Sequence, residues 1–110
     1  MKELNLNVDF SAIPMNEEDK KLSSRQIMTM IIRNILNAYI TQLKGLLYNE
    51  RKLVYSIQDK LKEVEDTKKD TIEFEDNEFG FIKRSFRETK LTPNDLLRKM
   101  EEIIDSVNYR

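Results

Sequence analysis

Residues 27–43 read IMTMIIRNILNAYITQL, and eleven of these seventeen positions are apolar. Thr29, Arg33, Asn37 and Thr41 step by four. On a helix they gather into one narrow polar stripe, leaving a wide dry face that other elements must cover. The spacing therefore predicts the central helix of a core. Arg33, Asn34 and Asn37 interrupt the stretch at its middle, whereas a membrane span needs about 20 mostly apolar residues. No membrane association is expected.

Outward from this helix, Ser23 and Gln26 have the spacing of a capping box, in which hydroxyl and amide satisfy free N–H groups at a helix start. At the other end Gly45 marks a break, since glycine readily takes the left-handed conformation that ends a helix. Leu46 and Leu47 continue the apolar pattern beyond it. From about residue 48 to 66, Leu53, Val54, Ile57, Leu61 and Val64 mark a second amphipathic helix, which packs antiparallel on the first if Gly45 makes a tight turn. Tyr48 and Tyr55 lie off that stripe. Seven residues apart, they fall on one line of the helix amid Lys52, Asp59 and Lys62. Either both rings lie over neighbouring side chains, or they form a partner-binding spot, because exposed aromatics dominate interface energetics.

At the chain start Leu4, Leu6, Val8 and Phe10 alternate with polar residues, the period of a half-buried strand. Residues 11–21 lose the alternation and read as a connection. Ile13-Pro14 favours extended backbone there, and Asn16 is placed to start a short helical turn. After the polar link DTKKD at 66–70, Thr71, Ile72, Glu73 and Phe74 form a second short strand. Its natural partner is the first, since an isolated strand is not stable.

Asp76 is the expected cap of a third helix, with Glu78 in its first turn. Phe79, Ile82 and Phe86 form its buried stripe, and Phe81 falls well off it. Gly80 lowers helix propensity by about 1 kcal/mol relative to Ala, which points to close packing against the central helix or to a later helix start. Thr92 as cap with Pro93 at the first position opens a fourth helix. Leu96, Leu97, Met100, Ile103, Ile104 and Val107 line one of its faces, and residues 108–110 end the chain. The predicted fold is a single α+β domain over residues 1–110. It has four helices and a small two-stranded antiparallel sheet in the order β-α-α-β-α-α.

With 110 residues, 39% hydrophobic and 35% charged, the chain fits one core. The 19 basic and 20 acidic residues are interleaved rather than blocked, so no nucleic-acid partner is expected. There is no Cys and no His, which removes thiolate metal sites, the commonest metal ligand and the commonest general base. The acidic group Glu73, Glu75, Asp76 and Glu78 lacks the frame of a calcium loop. It reads as strand and helix-start chemistry. Two glycines far apart build no phosphate cradle. No catalytic, cofactor-binding or metal site is expected, and the chain reads as a non-enzyme. The opening MKELNLNVDF lacks the continuous apolar run of a signal peptide, so a secreted protein is not expected.

The opening KELNLNVDF, the helix start SSRQIM, the strand and acidic exit TIEFED, the helix NEFGFIKRSF and the closing LTPNDLLRKMEEII together resemble a group of small tailed-phage and prophage proteins. That resemblance covers most of the chain as a plan. The usual Leu-Asp-Gly turn after the first strand is replaced here by SAIPMNEEDKK, and the second helix is Lys-rich, with Tyr48 and Tyr55 its only Tyr residues. The group has no established activity, so the resemblance implies a phage or mobile-element setting and transfers no functional residue. A protein-binding role follows as the expectation: a virion or assembly component, acting in the host cytoplasm or in the particle. The alternative is an inhibitor that binds a host enzyme or defence complex. Homo-oligomerisation stays open.

Overall fold

The computed structural model describes residues 1–107. Along the chain the elements are β1 (Lys2–Asn5), α1 (Glu17–Lys20), α2 (Ser24–Leu43), α3 (Tyr48–Thr67), β2 (Thr71–Phe74), α4 (Asp76–Glu88) and α5 (Asp95–Asp105). This is the expected mainly helical α+β plan with a two-stranded antiparallel sheet, plus one short helix, α1, that Asn16 starts by accepting from the Asp19 N–H at 2.7 Å. Residues 108–110, expected to follow the last helix, lie outside the described residues.

The central helix starts where its cap predicts. Ser23 Oγ accepts from the Gln26 N–H, and Gln26 Oε1 accepts from the Ser23 N–H at 2.9 Å. Ile27, Met28, Ile32, Ile35, Leu36 and Tyr39 are buried along α2. One correction concerns its polar stripe. Thr29 is fully buried, because α3 crosses it, and its hydroxyl donates to Glu65 Oε1 at 2.7 Å. Arg33 reaches the same carboxylate at 3.1 Å, so one acid satisfies both polar groups of the seam. Truncating a fully enclosed core residue such as Ile32 or Ile57 costs about 2–5 kcal/mol.

The first strand is shorter than its alternation. Only Lys2–Asn5 is strand, paired in register Lys2↔Phe74, Glu3↔Glu73, Leu4↔Ile72 and Asn5↔Thr71. β2 offers just four residues, so past Asn5 no strand remains to pair with. The Leu6 N–H takes the Asp70 carbonyl at 2.7 Å as a last contact. Leu6 and Phe10 are still buried, which shows that the period-two pattern recorded burial rather than pairing. Leu4, Ile72 and Phe74 place the inner face of the sheet on the core.

α4 corrects three readings. Its N-cap is Glu75, not Asp76: the Glu78 carboxylate reaches back to accept from the Glu75 N–H at 2.7 Å, while the Glu78 N–H turns to Asn77 Oδ1 at 2.9 Å. Phe81 is buried, because α4 is wedged between α2 and α3 and needs two covered sides. It meets Tyr39 edge-on, with ring centroids 5.8 Å apart. Gly80 lies within the helix on its exposed side, and a Cβ built there would meet nothing within 4 Å; neither close packing nor a late start explains it. In the last connection the cap is Asn94 rather than Thr92. Asn94 accepts from the Leu97 N–H at 2.7 Å, and Pro93 precedes the helix instead of opening it. Met100 and Ile104 then seat α5 on the core, with Leu96, Leu97, Ile103 and Val107 partly covered.

Candidate interaction surface

α3 and α4 run antiparallel, so one end of the molecule collects the last turn of α2, the first turn of α3 and the last turn of α4. The turn that makes this end is a Schellman motif. The Gly45 N–H bonds the Ile40 carbonyl at 3.2 Å and the Lys44 N–H bonds the Thr41 carbonyl at 3.1 Å. Its left-handed residue is Lys44, at φ 60°, and Gly45 follows at φ 120°. The break expected at Gly45 therefore comes one residue earlier, on a lysine that pays a steric cost there.

Leu47 is the N-cap residue of α3 and makes no side-chain cap bond. Ser, Thr, Asp or Asn at such a position is preferred by about 1 kcal/mol. Leu47 is instead 76% exposed, beside Leu43 at 45% and Tyr48 at 61%. At that exposure an apolar side chain contributes little burial to the fold. Tyr55, two turns further along α3, is 59% exposed. The structure thus puts both sequence-predicted tyrosines on the outside. The two differ in surroundings: Lys52 Nζ stands 4.6 Å from the Tyr48 ring centroid and the Arg51 guanidinium carbon 5.8 Å, within cation–π range.

The corner is held from behind. Arg51 donates to the Leu46 carbonyl at 2.7 Å, tying the first turn of α3 to the turn that precedes it. Arg84 of α4 reaches Glu50 at 2.7 Å and lies over the Phe81 ring at 5.0 Å. The Tyr39 hydroxyl donates to Glu88 at 3.1 Å. Burial raises the Tyr39 pKa, the bond to Glu88 raises it further, and nearby Arg84 opposes both. These contacts join α2, α3 and α4 and make the corner a platform rather than a loose loop.

Of the acidic group Glu73, Glu75, Asp76 and Glu78, one member is buried and held. Glu78 is 2% exposed and accepts from the Lys60 ammonium, the Ser56 hydroxyl and the Glu75 N–H. Burial pushes its pKa up, but the bonds from Lys60, Ser56 and the backbone outweigh that and the net shift is downward. An ammonium bound to a carboxylate is no base, so this cluster is a strut between α3 and α4. Among the described residues no group of three His, Cys, Asp or Glu gathers as a metal site, and no helix is long and apolar enough to cross a membrane. A groove of about 450 Å³ beside the β1–α1 connection carries Asp9, Ser11, Lys20 and Ser24 as its polar side chains. The Asp9 pKa is lowered by the Ser11 hydroxyl and backbone N–H.

Leu43, Leu47, Lys44 and Arg51 are the parts of the corner that sequence reasoning missed. Leu43 and Leu47 belonged to apolar runs, and only the turn geometry shows which leucines it turns outward. The one legible signal was an apolar residue where α3 wants a cap. No protein-family model, curated protein or solved structure matches the chain. The class of protein is a small α+β domain with an exposed, partly apolar corner.

Proposed function

We propose that this chain is a non-enzymatic protein–protein interaction protein, a structural or assembly component of a phage particle, docking through the α2–α3 corner and the Tyr48–Tyr55 line. The observation that carries the docking reading is Leu47, an exposed leucine at a helix cap where the fold itself favours a polar residue. Two exposed tyrosines on the same helix supply the residue type that dominates interface energetics. The phage setting rests on the resemblance of the chain's plan to small tailed-phage and prophage proteins. It places the protein in the host cytoplasm or the virion.

The test is mass spectrometry of particles and assembly intermediates from the strain that carries the gene, with Leu47→Ser and Tyr48→Ala made in place. The protein is expected in particles or intermediates, and the double variant is expected to lose incorporation while folding normally. Absence from both, with no assembly defect on deletion, overturns the structural reading. A tight stoichiometric complex with one host enzyme would then establish the inhibitor role instead.

A further inference from the structure

At one corner the interleaved charges of the chain do not pair off, although Glu75 and Glu78 share a groove with Lys52. At the α2–α3 corner Lys44, Arg51 and Lys52 are exposed, and none has a carboxylate within ion-pair distance among the described residues. Glu50 is the one acid between residues 41 and 52, and Arg84 already holds it at 2.7 Å. The exposed apolar side chains Leu43, Leu47 and Tyr48 sit among these three cations.

We propose that the α2–α3 corner binds an acidic segment of a protein partner that carries apolar anchors, with carboxylates meeting Lys44, Arg51 and Lys52 and the anchors meeting Leu43, Leu47 and Tyr48. This rests on the interaction reading above and names the partner's chemistry. Charge complementarity selects the sign, since cations without an ion-paired carboxylate steer and orient an anionic surface. The two leucines argue against single-stranded nucleic acid, whose bases stack on aromatic rings rather than on aliphatic side chains. The polar continuation of α3 through Asp59, Lys62 and Asp66 argues against a lipid surface, because a helix lying in a membrane interface presents an apolar face along its length. Arg51 is already fixed by its bond to the Leu46 carbonyl and Lys52 stands over Tyr48. These two therefore have less side-chain freedom to lose on binding.

The experiment follows backbone amide shifts of the labelled full chain against three probes: a short synthetic peptide alternating Asp or Glu with Leu and Phe, phosphatidylglycerol vesicles, and an oligo-dT strand. A peptide with Lys in place of its acids is the control. The acidic peptide is expected to shift amides of residues 43–52, to weaken as salt rises, and to lose at least tenfold in affinity when Lys44→Glu and Lys52→Glu are combined. Arg51 is left intact because it holds the turn, and the thermal transition of each variant shows that the fold is kept. Silence toward the acidic peptide, equal binding of the Lys control, or stronger shifts of the same amides by vesicles or oligo-dT overturn the proposal. If the protein keeps its place in particles after the charge reversal but loses it after Leu47→Ser, the acidic chemistry falls and the interaction reading stands.

Discussion

Replacing Lys60 with Met removes the cation that faces the most buried carboxylate of the domain. The Glu78 side chain is 3% exposed and that of Lys60 29%, so the two partners differ in what each does when left alone. Without Lys60 the carboxylate stays in the core with only Ser56 and the Glu75 N–H. Breaking a buried pair in this way costs about 3–5 kcal/mol, and the remaining bonds put Lys60→Met near the lower bound. Without the carboxylate the ammonium can reach water, and a glutamine at 78 keeps its one oxygen for the Glu75 N–H while its amide NH2 donates to the Ser56 hydroxyl, which then accepts. Glu78→Gln is therefore expected to cost about 1–2 kcal/mol. The pH dependence separates the two further. In the native chain the Glu78 pKa lies below its ordinary value of 4.5, so its stabilisation is present above that value and is lost as pH falls through the folded pKa. In Lys60→Met burial dominates and pushes the carboxyl up, so acidification protonates it in the folded state and narrows the gap to the native chain. Urea unfolding followed by circular dichroism across neutral to acid pH measures this. A Lys60→Met cost under about 1 kcal/mol at neutral pH, or a gap that is the same at every pH, refutes the reasoning.

Other substitutions check separate parts of the structure by the same unfolding assay. Gly80→Ala should stabilise by about 1 kcal/mol, since a Cβ there meets nothing. Lys68→Gly should stabilise by about 0.5–1 kcal/mol, because φ 55° strains a lysine and not a glycine. Asn94→Ala should cost about 1 kcal/mol while Thr92→Ala leaves stability nearly unchanged, which locates the cap of α5. Leu47→Ser should raise stability by up to about 1 kcal/mol while weakening partner binding, a pairing of effects that a simple folding defect cannot produce.

What the sequence made legible were the features set by local periodicity. The Ser23–Gln26 box and the stripe of α3 follow from neighbours a few residues apart, and the pairing of the two short strands follows because a lone strand is not stable and each is the other's natural partner. What it hid depends on which element lies across. Thr29 looks solvated by its step of four, and becomes buried only because α3 brings Glu65 to it. Phe81 falls off the stripe of α4 until that helix is seen to be covered on two sides. Glu78 has the spacing of a solvated first-turn acid, and only the antiparallel course of α3 sets Ser56 and Lys60 against it. At the corner the sequence located Tyr48 and Tyr55 on the outer line of their helix. It could not show that Leu47 turns outward or that Lys44 and Arg51 are left without acids, because both depend on the shape of the Schellman turn and on Arg84 taking Glu50.

The Arg25 guanidinium gives one more consequence. It donates to the Lys69 carbonyl at 2.9 Å and to the Lys68 carbonyl at 3.1 Å, so the start of α2 is clasped to the exit of α3. Asn5 and Thr71 are sheet partners with α1, α2 and α3 between them, and closing a span of that size from an unfolded chain carries a large entropic cost. Once the helical hairpin has formed, only the shorter span of residues 6–23 remains to be closed before the strands can meet. The sheet is therefore expected to form late: stopped-flow kinetics should find substitutions in it acting mainly on the unfolding rate, whereas Arg25→Ala should slow folding itself.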